Sequence, residues 1–291
     1  MRRRDVLSLF ATLSCVSLAA RVASFDEIAG LPTVIIIDAK AVLLVGGLGT
    51  RLRSLVPSTP KALAPMGDRP FLELLVRQLC SQGIKKLIMC TGYLADQIEE
   101  AFGDGTRLGV EIEYSREPHP LGTGGAVKLA QRFLKNSADS LVLNGDSFLE
   151  IDYRELIRFH RAHLATATIA CVRVEDASHY GTVCLDSGGR VLAFREKTGD
   201  YSAGFVSAGV YVFGASVLEH IPDGQVSLEK DVFPKLVDLG LYASIQKGVF
   251  IDIGTPADYL RAQQILALRG CDCANLESRF VADSDASADS H

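Results

Sequence analysis

The chain has 291 residues, of which 48% are hydrophobic and 22% are charged, so it can bury the core of one large domain or two small ones. Its formal net charge is -5, which excludes a broad basic surface for nucleic acid. An anionic ligand must therefore be held by a few placed cations and backbone N–H groups rather than by a general positive field.

The two ends differ from the middle. Residues 1–23 have the outline of an export signal, with arginines followed by an apolar run, but that run is too short and too broken by serine and threonine to span a membrane comfortably. The alternative is a start assigned too early, and we favour a start near Val34 or a harmless extension over 1–37. Residues 267–291 are acidic and rich in serine and alanine, which predicts a disordered tail. We expect a cytoplasmic protein.

Strand and helix patterns alternate in the first half of the chain. Continuous apolar runs are typical of strands buried on both faces, and residues at helical spacing separate them. The patterns predict, in chain order, a strand at 41–47, a helix at 70–83, a strand at 84–93, a helix at 95–105, a strand at 110–117, a helix at 124–134 and a strand at 140–148. Residues 38–150 are therefore predicted to form a mostly parallel, three-layer α/β sheet.

The second half is richer in strands and more antiparallel. The patterns predict strands at 167–174, 181–186, 191–197, 208–214 and 247–254, and helices at 153–164, 216–221, 229–240 and 255–268. We interpret residues 38–266 as one domain with two lobes, 38–150 and 151–266. In open α/β sheets the ligand lies beyond the carboxyl ends of the strands, so functional residues are sought just after each strand.

Cysteines and histidines do not indicate a site. The seven cysteines lack a C-x-x-C pair, and Cys80, Cys90 and Cys171 lie in apolar patterns, which predicts buried, reduced thiols. His160 and His163 are three residues apart on a predicted helix, but no third ligand accompanies them. We therefore predict surface positions for both histidines rather than a metal site.

The segment "VGGLGTRL", residues 45–52, follows the first strand and predicts an anion-binding turn. Its glycines allow a sharp bend, and consecutive N–H groups can surround a phosphate. Neither the dinucleotide fingerprint nor the Walker A pattern is met. Arg51 and Lys61 nevertheless favour phosphate binding over a simple bend, because arginine offers a planar fork and lysine a compact charge.

Asp146 and Asp252 each end an apolar strand at the expected ligand edge. A carboxylate leaving a buried strand is costly unless it meets a cation. Mg²⁺ usually takes one or two protein carboxylates and completes its shell with water and phosphates, so the pair predicts a Mg²⁺ site. Taken singly, a turn-forming role for Asp146 and a capping role for Asp252 remain open.

The motifs "GGLGTRL" and "PKALAPMGDRPFLE" resemble the signature of the sugar-1-phosphate nucleotidyltransferases. The resemblance to this family covers about residues 38–266. Within that family the wording is most similar to the guanylyltransferases for D-glycero-α-D-manno-heptose 1-phosphate and mannose 1-phosphate. The resemblance implies a Rossmann-like fold of the nucleotide-diphospho-sugar transferase type, with a nucleotide-binding lobe and a smaller antiparallel sugar-binding lobe. It also implies that a nucleoside triphosphate and a sugar 1-phosphate give a nucleoside diphosphate-sugar and pyrophosphate, with Asp146 and Asp252 as metal ligands.

The resemblance also assigns roles to individual residues. Arg51 and the metal would hold the triphosphate, Lys61 would stabilise the transferring phosphoryl group, and Lys197 would grip the phosphate of the sugar. The expected nucleotide-binding residues are Val45, Gly46, Gly47, Gly49, Thr50, Glu117, Gly122 and Thr123. The expected sugar-phosphate-binding residues are Gly181, Glu196, Lys197, Ser207 and Ala208. Many close relatives have Asn where this chain has Ser207, so hexose and heptose both stay open.

Glu117 favours guanine as the base. An ionised carboxylate only accepts hydrogen bonds, and guanine presents two adjacent donors, N1–H and the 2-amino group. Relatives that use thymidine triphosphate tend to carry Gln at this place. The alternatives are a glucose-1-phosphate thymidylyl- or uridylyltransferase, a catalytically silent nucleotide-sugar-binding regulator, and an exported binding protein. A homo-oligomer is also possible, and we expect neither nucleic acid nor membrane as a partner.

Overall fold

The computed structural model describes residues 39–135, 137–195, 199 and 201–268. The strands are β1 Lys40–Leu44, β2 Pro65–Met66, β3 Arg69–Pro70, β4 Lys86–Thr91, β5 Glu111–Arg116, β6 Asp139–Asn144, β7 Ser147–Leu149, β8 Ala167–Val174, β9 Thr182–Leu185, β10 Val191–Arg195, β11 Gly204–Gly214, β12 Leu241–Gln246 and β13 Phe250–Asp252. The α-helices are α1 Phe71–Ser81, α2 Ala95–Phe102, α3 Gly122–Ala130, α4 Tyr153–Ala162, α5 Phe233–Leu236 and α6 Pro256–Leu268.

Among the described residues, nine strands form one mixed sheet. Strands β6, β1, β4 and β5 are neighbours in this order and run parallel. Strand β11 pairs antiparallel with β6 and with β8, which in turn pairs with β12, and the β9–β10 hairpin extends the sheet beyond β11. Strands β7 and β13 form a separate antiparallel pair. The carboxyl ends of the four parallel strands therefore meet at one edge.

Each face of the sheet is covered, which explains the continuous apolar run of β1. Ala41 and Leu43 face a core that includes side chains of α1, α4 and α6. Val42 faces the opposite core, to which α3 and α5 contribute. Because successive side chains of a strand point to opposite faces, a strand between two cores must be apolar at every position. The predicted mostly parallel, three-layer α/β architecture is confirmed.

The second half differs from the prediction at several elements; the helix expected at 216–221, for example, is a 3-10 helix, Ala215–His220. Strand β12, "LYASIQ", is absent from the prediction, although its burial alternates as expected for a strand that pairs on one side with β8. The expected helix at 229–240 is a π-helical turn, the four-residue α5 and a 3-10 turn. Pro234 explains the interruption, since proline cannot donate to the preceding turn of a helix.

The surface position predicted for His160 is wrong. Its side chain is only 3% exposed, with Nδ1 2.9 Å from the Thr168 hydroxyl and Nε2 3.5 Å from Asp139. Cys90 and Cys171 are buried as predicted, whereas Cys80 is half-buried. None of the described helices is long and apolar enough to cross a membrane.

Candidate active site

The loops that follow the parallel strands are fixed to one another by backbone hydrogen bonds. The Val45 N–H, just after β1, donates to the last part of β4 over 3.0 Å. The Gly145 N–H, just after β6, donates to the Leu44 carbonyl over 2.9 Å, and the Glu117 N–H donates to the end of β4 over 2.8 Å. These hydrogen bonds therefore fix the positions of the glycine loop (residues 45–52), Asp146 and Glu117 at the same edge of the sheet.

The glycine loop passes close over Lys61. Gly49 has a φ of 57°, in the left-handed region that favours glycine, and a Cβ there would lie 3.0 Å from the Lys61 Cβ. The loop then continues into a 3-10 helix, Thr50–Leu52, from which the exposed Arg51 side chain projects. Bare glycine backbone and an arginine are thus held beside the lysine.

Lys61 begins a 3-10 helix, Lys61–Leu63, directly after Pro60. Its side chain is 12% exposed, and Nζ lies 2.5 Å from Oδ2 of Asp146. A lysine that buries its stem while its ammonium group contacts a carboxylate presents a fixed positive charge rather than a mobile one.

The pairing of β7 with β13 brings the two predicted metal ligands together. Asp252 is the register partner of Ser147, and the Ile253 N–H donates to the Asp146 carbonyl over 3.0 Å. One oxygen of Asp252 accepts a hydrogen bond from the Gly254 N–H. Two carboxylates from distant parts of the chain therefore line one small cavity.

Asp252 lies where a negative charge is disfavoured. Burial raises the pKa of its carboxyl group, and the neighbouring charge of Asp146 raises that pKa further. The charge of Lys61 and the Gly254 N–H act in the opposite direction but do not outweigh these effects. The positive charge of Lys61 therefore does not offset the burial and the mutual repulsion of the two carboxylates. Such an environment favours the binding of a cation.

Two cavities adjoin at these residues. The larger has a volume of about 420 Å³ and runs from the glycine loop past Glu117 and Thr123 to Asp146. The smaller has a volume of about 140 Å³ and contains both Asp146 and Asp252. They share Arg51, Lys61, Asp146 and Gly254. A ligand that fills the larger cavity would thus end beside the two carboxylates.

Glu117 lines the larger cavity beside Gly46. Its Oε2 accepts a hydrogen bond from the Leu121 N–H over 2.8 Å, and a Cβ on Gly46 would lie 2.5 Å from its Oε1. Burial raises the pKa of the Glu117 carboxyl group, although the Leu121 N–H and His119 act against this. One oxygen is therefore occupied by the backbone, and the other faces the glycine loop and the cavity.

The start of α3 is held by a turn from the second half of the chain. The N–H groups of Gly124 and Gly125 both donate to the Val226 carbonyl, over 2.8 and 3.3 Å. Gly122 has a φ of 72°, and a Cβ on Gly125 would lie only 2.2 Å from the Gly224 carbonyl oxygen. The glycines of "LGTGGAV" are thus needed for this close backbone contact.

The predicted sugar-binding residues have different outcomes. Ser207 is half-buried on β11 and donates to the Tyr211 hydroxyl over 3.2 Å. Ala208 has no exposed surface and lies in the core, so only its backbone could reach a ligand. Gly181 is exposed just before β9. Glu196 and Lys197 lie outside the described residues.

Several residues of the cavities were missed by the sequence reasoning. Asn144 and Gln225 line the larger cavity, and His179, Tyr180 and Asp258 line the smaller one. Asn144 stands two residues before Asp146, at the end of a strand, which is the signal that identified the aspartate. Gln225 lies in a turn without periodicity, so no local pattern marks it.

The candidate site combines a lysine, two carboxylates and a glycine turn beside the carboxyl ends of the parallel strands. This combination is typical of α/β proteins that bind phosphate groups at the ends of their strands. The family model for nucleotidyl transferases matches residues 40–268. The chain belongs to this family, and the family predicted from the sequence is confirmed.

The relatives of this chain within the family include guanylyltransferases for two sugar 1-phosphates. The mannose-1-phosphate guanylyltransferase of Mycobacterium tuberculosis is 42% identical over 225 residues, which are 76% of this chain and 62% of the relative. The D-glycero-alpha-D-manno-heptose 1-phosphate guanylyltransferase of Aneurinibacillus thermoaerophilus is 40% identical over 230 residues, 78% of this chain and 98% of the relative. The chain thus spans about 62% of the mannose-type relatives it matches and nearly all of the heptose-type relative.

Solved structures agree on the fold. HddC from Yersinia pseudotuberculosis, complexed with GMP-PN, has a TM-score of 0.70 and 32% identity, and the match covers 78% of this chain and 99% of HddC. A putative glucose-1-phosphate thymidylyltransferase from Bacillus anthracis also has a TM-score of 0.70, over 78% of this chain and 94% of that one. At 22% identity, this second likeness supports the fold alone.

Proposed function

We propose that this chain transfers GMP from GTP to a sugar 1-phosphate, heptose or mannose 1-phosphate, and releases pyrophosphate. The observation that carries the proposal is the convergence of Lys61, Asp146 and Asp252 in one cavity beside the glycine loop. The family and the names of the relatives, which are guanylyltransferases for these two sugar phosphates, support the choice of reaction.

The reaction needs alignment more than it needs acid–base groups. A phosphate oxygen of the sugar 1-phosphate is already ionised at neutral pH, so it can attack the α-phosphorus without a general base. The new P–O bond forms as the bond from the α-phosphorus to the oxygen that bridges the α- and β-phosphorus atoms breaks, and that oxygen leaves with the pyrophosphate. The chain therefore has to hold the attacking oxygen, the phosphorus and the leaving oxygen in line and to neutralise their charge.

Three groups would hold the triphosphate under this proposal. The backbone N–H groups of Gly46 and Gly47 and the exposed Arg51 guanidinium line the cavity where the phosphates would lie. Lys61, held against Asp146, would face the transferring phosphoryl group with its remaining N–H donors. Val45, Gly49 and Thr50 belong to the same loop and line the same cavity.

Asp146 and Asp252 fit Mg²⁺. Both are oxygen donors in one cavity, and the raised pKa of Asp252, caused by burial and by the charge of Asp146, indicates a need for a cation between them. Mg²⁺ usually takes only one or two protein carboxylates and completes its shell with water and phosphate oxygens. When bound, Mg²⁺ would neutralise phosphate charge. The two aspartates would hold it, and Lys61 would keep Asp146 oriented.

Glu117 and the start of α3 would bind the base. With Oε2 taken by the Leu121 N–H, Oε1 of Glu117 is free to accept from N1–H or the 2-amino group of guanine. Gly122 and Thr123 line the cavity between Glu117 and the phosphate region. This arrangement favours GTP over UTP and dTTP, whose bases alternate acceptor, donor and acceptor.

The sugar phosphate would lie on the side of β9 and β11. Gly181 and the Ala208 backbone offer main-chain contacts, and Ser207 offers a hydroxyl group. Glu196 and Lys197 complete this set as predictions from the family resemblance.

Initial rates of pyrophosphate release test the proposal. GTP, dTTP, UTP, CTP and ATP would each be paired with mannose, glucose and heptose 1-phosphates, with Mg²⁺ and after its removal by EDTA. We expect GTP with mannose or heptose 1-phosphate to be the best pair, and activity to vanish with EDTA and return with Mg²⁺. Preference for dTTP or UTP would contradict the assignment of Glu117, and no turnover with any pair would point to a silent nucleotide-sugar-binding relative.

A pair of variants separates the site from the surface. Asp146→Asn and Asp68→Asn each remove one negative charge, but the Asp68 side chain is 77% exposed and lies outside both cavities. We expect only Asp146→Asn to lose activity, by about 100-fold or more. Equal rates for the two variants would exclude Asp146 from the reaction.

A further inference from the structure

Glu229 accepts hydrogen bonds from three hydroxyl groups. Its Oε2 receives the Thr123 hydroxyl over 3.0 Å and the Ser227 hydroxyl over 2.9 Å, and its Oε1 receives the Tyr211 hydroxyl over 3.3 Å. These donors come from α3, from the turn before the π-helical segment and from β11. Glu229 therefore connects the side of the cavity assigned to the nucleotide with the strand assigned to the sugar.

The carboxylate fixes the direction of each of these hydrogen bonds. An ionised carboxylate can only accept, so each hydroxyl proton must point toward Glu229. Burial, with a further contribution from the charge of Glu229, raises the pKa of Tyr211 well above its ordinary value, so the phenol keeps the proton that it donates. Its oxygen is then left to accept the proton of Ser207, over 3.2 Å.

Backbone N–H groups occupy one acceptor position on each of the Thr123 and Ser207 hydroxyl oxygens. The Leu228 N–H donates to the Thr123 oxygen over 2.8 Å, and the Gly209 N–H donates to the Ser207 oxygen over 3.2 Å. A hydroxyl oxygen has two acceptor positions, so Thr123 and Ser207 each retain one. Neither hydroxyl has a proton left to donate to a ligand.

We propose that Glu229 is a positioning residue that sets the hydrogen-bond polarity of the substrate site. Through it, Thr123 and Ser207 present only acceptors, so the substrates must present O–H or N–H groups at these two places. The inference rests on the proposed function, in which Thr123 lies on the nucleotide side and Ser207 on the sugar side. It adds a specificity determinant that itself lines neither of the two cavities of the candidate site.

Two variants separate polarity from shape. Glu229→Gln keeps the shape, but its amide has one oxygen and a donor N–H₂ group, so at least one hydroxyl faces a donor and must turn its proton away. Glu229→Asp changes the length but keeps an acceptor-only group. If polarity matters, the Asp variant works better than the Gln variant; if only shape matters, the order is reversed.

The expected result is a rise in KM with little change in kcat. We expect Glu229→Gln to raise KM for GTP and for the sugar 1-phosphate about 3- to 10-fold, and Glu229→Asp to recover at least half of that factor. Glu219→Gln removes the same charge from an exposed position and should match the wild type. Melting temperatures of all variants check that the fold is intact. A Gln variant equal to the wild type, or better than the Asp variant, overturns the inference.

Fluorinated substrates provide a second readout that a merely structural role would not change. In a set of deoxyfluoro sugar 1-phosphates, one O–H donor at a time is replaced by fluorine, which cannot donate. We expect one ring position to be penalised strongly in the wild type and several-fold less in Glu229→Gln, because Ser207 can then turn its proton toward the substrate. An unchanged penalty profile overturns the inference.

The two proposals can fail separately. If the wild type releases no pyrophosphate with any substrate pair, the proposed function fails. The order of the variants can then still be measured as GTP affinity by calorimetry, because the Thr123 hydrogen bond does not require turnover. If the wild type is active and the variants do not differ, only the role of Glu229 fails.

Discussion

Replacing Glu117 with glutamine should exchange the base preference of the site. The Leu121 N–H, 2.8 Å from Oε2, needs an acceptor, so in Glu117→Gln it will hold the amide oxygen at that position. The amide N–H₂ group must then take the place of Oε1, opposite Gly46 and facing the cavity. A hydrogen-bond donor would thus meet the two donors of guanine.

The size of the effect follows from the contacts that are lost. A hydrogen bond to a charged group contributes about 1.5–3 kcal/mol. Its loss corresponds to a fall of about 10- to 150-fold in kcat/KM for GTP. For dTTP we expect no comparable loss, since thymine carbonyl groups can accept from the new amide. The ratio of kcat/KM for GTP to that for dTTP should therefore fall by at least about tenfold.

The assay is pyrophosphate release at a saturating concentration of the preferred sugar 1-phosphate, with GTP and dTTP varied separately. Glu113→Gln is the matched control, because Glu113 lies on the same strand, β5, with an exposed side chain. That variant should keep the wild-type ratio. If Glu117→Gln also keeps it, the carboxylate does not read the base, and the assignment of guanine loses its structural reason.

Asp252→Asn should lower kcat by about 100-fold or more, measured as pyrophosphate release, without lowering the melting temperature, because it removes a buried charge next to Asp146. Lys61→Met should lower kcat by a similar factor while KM for GTP changes only a few-fold, and a proportional rise in KM would refute its role in the transition state. The hydrogen bonds from His160 and Arg161 lower the pKa of Asp139. The ionised form of Asp139 therefore stabilises the fold fully above the ordinary aspartate pKa of about 3.9. This contribution is lost as the pH falls through the lower pKa of the folded state. Asp139→Asn should therefore reduce the free energy of unfolding in urea at neutral pH but not in strong acid, and an equal loss at both pH values would contradict the linkage.

The parts of the site that could be predicted from the sequence are those that follow a strand directly. The glycine loop and Asp146 each follow an apolar run, and the parallel strands β1 and β6 carry them to one edge. Asp252 also ends an apolar run, but it reaches this edge through the antiparallel pairing of β13 with β7. Asn144 could have been found by the same signal. A sequence pattern covers only a few neighbouring residues, so it can predict which side chains follow directly after a strand.

The remaining features depend on contacts between distant segments. No periodicity indicates that Val226 accepts from the start of α3, or that Glu229 collects hydroxyl groups from three elements. Ala208 lies in "VSAGVY", where a register shift between β11 and β8 decides which side chains face the core. His160 looks like a surface residue from its helix alone. Its burial follows from contacts with Thr168 on β8 and Asp139 on β6, two strands that both pair with β11.

The antiparallel pairing of β7 with β13 has a consequence for how the protein matures. Asp252 reaches Asp146 only after the last strand has docked onto a segment made much earlier during synthesis. A chain that ends before β13 contains the glycine loop, Lys61 and Asp146, but it lacks the second carboxylate. Under the proposed function, the pair of carboxylates is therefore complete only when β7 and β13 have paired.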